Sequence, residues 1–173
     1  MVSPLPRLTL VLGGARSGKS RYAERLVTGL PAPWLYVATA EALDDEMAER
    51  IAHHRARRDE GWTTVDAPRD LASALRSAPA SAILIDCLTL WLTNVMLGGG
   101  DVAREQEALL DALAQADVPV VAVSNEVGLG IVPENALARA FRDAQGRLNA
   151  AVAERADCVV FMAAGLSLTL KGP

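Results

Sequence analysis

Apolar residues along this chain fall into short unbroken runs separated by helical stripes. The run "RLTLVLGG" is rich in β-formers and ends in glycines, which predicts a strand over roughly 8–12. From Lys19 to about Val27 the pattern is helical, and Gly29, Pro31 and Pro33 stop it. "WLYVAT" (34–39) is a second strand. "LDDEMAERIAHHRARR" has acids at its start and arginines at its end, the polarity a helix dipole favours, and Leu43, Met47 and Ile51 recur every four residues as one apolar stripe. "WTTVD" (62–66) reads as a short strand, followed by a helix near 68–77. "SAILID" (81–86) is a continuous apolar strand of the kind buried on both faces. "LTLWLTNVML" starts a helix, Gly98–Gly100 make a loop, and Asp101 caps a helix carrying Val102, Leu109, Leu110 and Leu113. "VPVVAVS" (118–124) is another buried strand, and Pro133 starts a long helix with Leu137, Phe141, Leu148 and Val152 on one face. "CVVFMAA" (158–164) and "LSLTLK" close the chain as strands, the last at the sheet's edge.

Strands alternating with helices argue for the α/β class with a mostly parallel sheet. No repeat, linker or low-complexity tract divides the 173 residues, so one catalytic domain over 1–173 is expected, long enough to bury a core. Composition refines this. Half of the residues (51%) are hydrophobic but only 4% aromatic, so the core is aliphatic and Ala-rich, as suits helices packed on a Val/Ile/Leu sheet. A net charge of −4 argues against a nucleic-acid-binding surface. Cys87 and Cys158 lie at or beside apolar strands and read as buried thiols in a reducing compartment. The run Leu8–Leu12 is too short for a signal peptide, and "AILIDCLTLWLTNVML" carries Asp86 and Asn94 and is too short and polar to span a bilayer. A soluble, cytoplasmic protein is expected.

The chemistry begins where the first strand ends. Gly13, Gly14, Ala15, Arg16, Ser17, Gly18, Lys19 and Ser20 fit G-x-x-x-x-G-K-[ST], with the strand before and helix after that the motif requires. Glycines let backbone N–H groups turn inward around phosphate oxygens, and the helix N-terminus adds its dipole. Lys19 would reach the β- and γ-phosphates of a nucleotide, and the Ser20 hydroxyl would coordinate Mg²⁺. Asp86, closing "AILID", is the natural second Mg²⁺ partner, directly or through water; the competing reading is a strand-end cap. Ligands of parallel sheets collect at the carboxyl ends of strands. That edge would gather the glycine loop, Thr39 and its neighbours, Asp66, Asp86, Asn125 and Glu126. Asp66 either accepts from the N1–H and 2-amino donors of a guanine or is a plain loop aspartate.

His53 and His54 are the only histidines. At 100° per residue His54 lies near the Leu43, Met47 and Ile51 stripe, while His53 falls among Glu46, Glu49, Arg50 and Arg57. Glu49, one turn earlier, would orient the His53 ring, and the arginines would neutralise an approaching phosphate. An imidazole so placed can attack phosphorus; a merely solvated histidine is the other reading.

The segments "GGARSGKSRYAE", "EMAERIAHHRARR" and "SNEVGLGIVPENALARAFRDAQGRLNAAVAERAD" together resemble the bifunctional adenosylcobinamide kinase/adenosylcobinamide-phosphate guanylyltransferase family of cobalamin biosynthesis, over about residues 8–171. The third segment is particular to that family; the first would fit many P-loop proteins. The resemblance implies phosphorylation of adenosylcobinamide with ATP or GTP, then transfer of GMP from GTP to that phosphate, with Mg²⁺. It also implies a guanylyl-histidine at the position of His53 and nucleotide contacts at Gly13–Ser20, Ala38, Thr39, Ala40, His54, Arg55, Arg57, Asp66 and Asp86. Some members carry Glu where this chain has Asp66 and Asp86. A homotrimer with active sites near subunit boundaries is implied too. The expected fold is therefore α/β and P-loop NTPase-like (RecA-like), three-layered, with a mostly parallel central sheet and an antiparallel C-terminal edge strand. Two other readings compete: a simple P-loop small-molecule kinase without a covalent intermediate, and a nucleotide-binding regulatory switch.

Overall fold

A computed structural model describes residues 5–42, 45–56 and 60–172, without side chains at 46, 47, 50 and 53–55. The strands are β1 (Leu8–Gly13), β2 (Trp34–Ala38), β3 (Trp62–Asp66), β4 (Ala82–Asp86), β5 (Val120–Asn125), β6 (Cys158–Ala163) and β7 (Leu166–Lys171). The helices are α1 (Lys19–Val27), α2 (Asp45–Ala56), α3 (Leu71–Ala74), α4 (Leu88–Leu97), α5 (Val102–Ala114) and α6 (Ala136–Arg155). One sheet holds the strands in the order β3-β2-β4-β5-β1-β6-β7. Every pair is parallel except β6–β7.

The central strands are apolar at nearly every position because both faces are covered. Leu10, Leu12, Leu35, Val37, Ile83 and Ile85 pack on one side with residues of α3, α4, α5 and α6. Val11, Tyr36, Leu84, Val121 and Val123 pack on the other with Ala23 and Val27 of α1. Three layers result, and each fully buried Leu or Ile contributes about 1.5–3 kcal/mol. Ala164 (φ +52°) and Gly165 (φ +78°) are the two left-handed residues of the β6–β7 hairpin turn.

Some expectations shift. The α-helix predicted near 68–77 is only Leu71–Ala74, because Asp70 caps it and Arg76 and Ser77 already donate three residues back, to Ser73 and Ala74. Pro133 does not start the long helix. The Arg139 guanidinium donates to the carbonyls of Pro133 and Glu134, and Asn135 is the cap, accepting from Ala138 N at 3.1 Å. Leu137, in the first turn, is exposed rather than packed, whereas Phe141, Leu148 and Val152 do pack on the core. The stripe of Leu43 and Met47 and the facing of His53 and His54 lie outside the described residues and side chains. Among the described residues no helix is long and apolar enough to cross a membrane.

Candidate active site

The glycine loop leaves an interior strand of the sheet. Gly13 pairs with Asn125 on one side and Met162 on the other, so β1 is flanked by β5 and β6 where it ends. At φ +152° a β-carbon on Gly13 would run into the Met162 carbonyl oxygen, which is why the chain needs glycine there. Gly18, at φ +96°, opens α1. The β6–β7 turn braces the loop from outside: Gly165 N donates to Ser17 O at 3.1 Å. Ser17 and Lys19 are buried, Gly14, Gly18 and Ser20 half-buried, and Ala15 and Arg16 exposed. The Lys19 ammonium donates to Gly14 O and lies 3.5 Å from Ser17 Oγ, so its charge is held over the loop's own backbone.

The other strand ends line up along the same edge. Ala38 is in register with both Asp66 and Asp86. By strand spacing, β4 lies about 10 Å from β1 and β3 about 19 Å. Asp86 thus ends the strand two positions along the sheet from the one that feeds the loop. Asp66 stands at the far end of the edge from the glycine loop. Asp86 Oδ2 accepts from Tyr36 O–H at 2.9 Å, which orients the carboxylate and leaves Oδ1 available. With the Ser20 hydroxyl on the first turn of α1, this all-oxygen donor set suits Mg²⁺, whose remaining positions would be filled by phosphate and water.

Thr39 is fully buried, and Ala40 follows it half-buried where the chain leaves towards α2. His53, His54 and Arg55 belong to the last turns of α2, and Arg57 lies outside the described residues. Glu126, next to the loop, donates its N–H to Gly13 O at 3.1 Å and accepts from Gly128 N at its carboxylate. Cys87 is buried beside Asp86, and burial first, then the Asp86 charge, push its thiol up to about 11. It is no nucleophile at neutral pH.

Several residues have structural roles that the residue pattern did not show. Tyr36 is one. Others are Asn94, Ser124, Gln145 and Asn149, all buried and hydrogen-bonded just beneath the carboxyl edge. Asn149 contacts Ser124 and Asn125 inside the chain, not a solvent-exposed surface. Arg142, its neighbour on α6, pairs at 3.2 Å with Asp143. The available signal was an amide interrupting an apolar helical run, as Asn94 does in "LTLWLTNVML".

A glycine cradle on an interior strand of a mostly parallel α/β sheet, with lysine and serine opening the next helix and an aspartate two strands away, defines a P-loop NTPase-like, RecA-like nucleotide-binding protein. Two solved structures share the fold alone. Flagellar accessory protein FlaH from Methanocaldococcus jannaschii is 15% identical (TM-score 0.51; 98% of this chain, 80% of that one). An ATPase of the type III secretion system of pathogenic bacteria is 12% identical (TM-score 0.56; 95% and 57%). A family model described as cobinamide kinase/cobinamide phosphate guanyltransferase matches residues 9–170, and the chain belongs to that family of bifunctional transferases. The bifunctional adenosylcobalamin biosynthesis protein CobP of Pseudomonas aeruginosa is 50% identical over 168 residues, 94% of this chain and 96% of its own length. CobU of Salmonella typhimurium, of the same description, is 42% identical over 181 residues, 95% and 99%.

Proposed function

We propose that this chain carries out both reactions of its family at one carboxyl edge, within one cytoplasmic catalytic domain, and that His53 carries the guanylyl group between them. The observation that supports this most directly is topological. The glycine loop leaves β1 and the α2 segment leaves β2 at the same edge of the sheet, as a site shared by the two reactions requires.

In the first reaction a hydroxyl oxygen of adenosylcobinamide attacks the γ-phosphorus of ATP or GTP. The bond to the β–γ bridging oxygen breaks, the nucleoside diphosphate leaves and the hydroxyl proton passes to solvent water. This transfer needs in-line placement and charge neutralisation more than covalent help. The amides of Gly13, Gly14, Ala15, Arg16, Ser17 and Gly18 and the Lys19 ammonium supply both, with Lys19 exchanging its loop contacts for phosphate oxygens. Ser20 and Asp86 would hold Mg²⁺, which when bound neutralises phosphate charge.

In the second reaction a ring nitrogen of His53 attacks the α-phosphorus of GTP, and the α–β bridging bond breaks to release pyrophosphate. A phosphate oxygen of the first product then attacks the same phosphorus, and the nitrogen–phosphorus bond breaks to give adenosyl-GDP-cobinamide. The imidazole must be unprotonated to attack, which near neutral pH is the majority form of an ordinary histidine. Ala38, Ala40, His54, Arg55, Arg57 and Asp66 form the nucleotide's base and sugar side in this reading, with Asp66 accepting from guanine. Thr39, expected among them, is fully buried and bonded to Cys87, so it supports this side from beneath. A homotrimer completes it. Supporting that, β7 presents Leu166, Leu168 and Leu170 exposed on one face of the sheet's edge.

The test is incubation with Mg²⁺ and GTP labelled at the α- or the γ-phosphate, followed by alkaline denaturing precipitation. Acid-labile, alkali-stable label is expected from the α position only, and none in His53→Ala. An unlabelled wild type that still binds GTP would make the chain a kinase without a covalent intermediate.

A further inference from the structure

Just beneath the active edge lie two clusters of buried polar side chains that the chemistry above does not use. The first centres on Asn94 of α4. Its amide donates to Thr39 O at 2.8 Å and to Pro68 O at 3.0 Å. Thr39 is itself locked to the peptide after Asp86: its hydroxyl donates to Cys87 O at 2.7 Å and accepts from Cys87 N at 2.8 Å. The second cluster holds the end of β5. Asn125 N donates to Thr89 Oγ1 at 2.8 Å, and Asn149 Nδ2 donates to Asn125 O at 3.0 Å. The Asn149 Oδ1 accepts from Ser124 Oγ at 2.6 Å and from Gln145 Nε2 at 2.9 Å.

The two clusters support different parts of the edge. Asn125 is in register with Gly13, so the second one steadies the strand beside the phosphate loop. Thr39 and Pro68 are the two roots of a single excursion. The chain leaves the edge at Thr39, builds α2, returns through β3 and reaches the edge again at Asp66–Pro68. One carboxamide on a neighbouring helix therefore ties both roots to α4, whose first residue is two positions beyond Asp86.

We propose that Asn94 is a positioning residue for guanylyl transfer and not for phosphoryl transfer. Its two hydrogen bonds fix where the α2 segment stands relative to a nucleotide held by the glycine loop. Without them two carbonyls at the roots lose these donors, and the segment shifts or admits water. A displacement of about 1 Å at reacting atoms costs about 10²-fold in rate. The γ-phosphate end has its own supports: the loop is braced by Gly165 and flanked by the end of β5, and Asp86 is held by its register with Ala38 and by the Tyr36 hydroxyl. The proposal rests on the two-reaction reading and on the α2 segment serving the second reaction, whichever of its atoms attacks.

Purified Asn94→Ala is compared with wild type in two assays on the same preparation. One follows phosphoryl transfer from ATP to adenosylcobinamide. The other follows pyrophosphate release from GTP that depends on adenosylcobinamide phosphate. Pyrophosphate release is expected to fall about tenfold or more, with phosphoryl transfer held within about twofold. Equal losses are the mark of a merely structural role and overturn the proposal. So does a larger loss of phosphoryl transfer, or no loss in either assay. If Asn94→Ala does not fold, Asn94→Ser, which keeps one donor, is read by the same ratio, with a smaller loss confined to pyrophosphate release. A wild type that releases no pyrophosphate refutes the two-reaction reading itself, and the role of Asn94 with it.

Discussion

Cys87 shows how strongly one buried position departs from solution behaviour. Its thiol is pushed from 9.0 up to about 11, by burial and then by the neighbouring Asp86 charge. The folded protein thus holds this proton more tightly than the unfolded chain. The resulting stabilisation is fully present below pH 9 and is lost as pH rises through 11. A shift of that size is worth on the order of 2–3 kcal/mol. Urea midpoints measured from pH 8 to about pH 11 should fall, and fall less steeply in Cys87→Ala, which retains only the raised thiol of Cys158. An identical slope in the variant would assign the alkaline loss elsewhere. The same scale explains Tyr36, whose hydroxyl donates to one oxygen of Asp86.

Among the elements, α6 joins the core to the active edge. Its buried face carries Leu148 and Val152 into the apolar cluster, and its polar residues Gln145 and Asn149 reach the end of β5. Its first turn lies beyond that core, so Leu137 is exposed and the helix start depends on local bonds: the Asn135 cap and the Arg139 guanidinium folded back on residues 133 and 134. Replacing Asn135 with Ala should cost about 1 kcal/mol. In a chain of this size that lowers the thermal midpoint by roughly 2–4 °C, a change that calorimetry resolves. Polar side chains at an element's end are inexpensive to expose, whereas the same residues in its middle must find partners.

For the whole molecule, the sheet edge beyond β6 is the conspicuous surface. β7 is exposed along its length, and Leu166, Leu168 and Leu170 share one of its faces. A strand with that pattern at an unpaired edge favours association, which natural proteins either suppress with charge or use. In the trimeric reading it is used. Leu168→Glu should then sediment as a smaller species in analytical ultracentrifugation; unchanged sedimentation would remove β7 from the subunit contact.

Much of this protein was legible in its sequence because the relevant physics is local. The strand, glycine loop and helix of residues 8–27 follow from turn chemistry and phosphate geometry within one short stretch. The strand bounds of 62–66 and 166–171 and the Asp101 cap follow likewise from short-range pattern. The end of β4 at Asp86 was legible too, because a carboxylate closing an apolar run marks where the chain leaves the core. What needed the tertiary structure is everything set by strand order. Residues far apart in sequence, such as Thr39, Pro68 and Asn94, become partners only when β2, β3 and β4 lie side by side. Periodicity also could not separate an exposed Leu137 from a buried Leu148 on one helix. Helical spacing says which residues share a face, but only packing decides how far along that face the core extends.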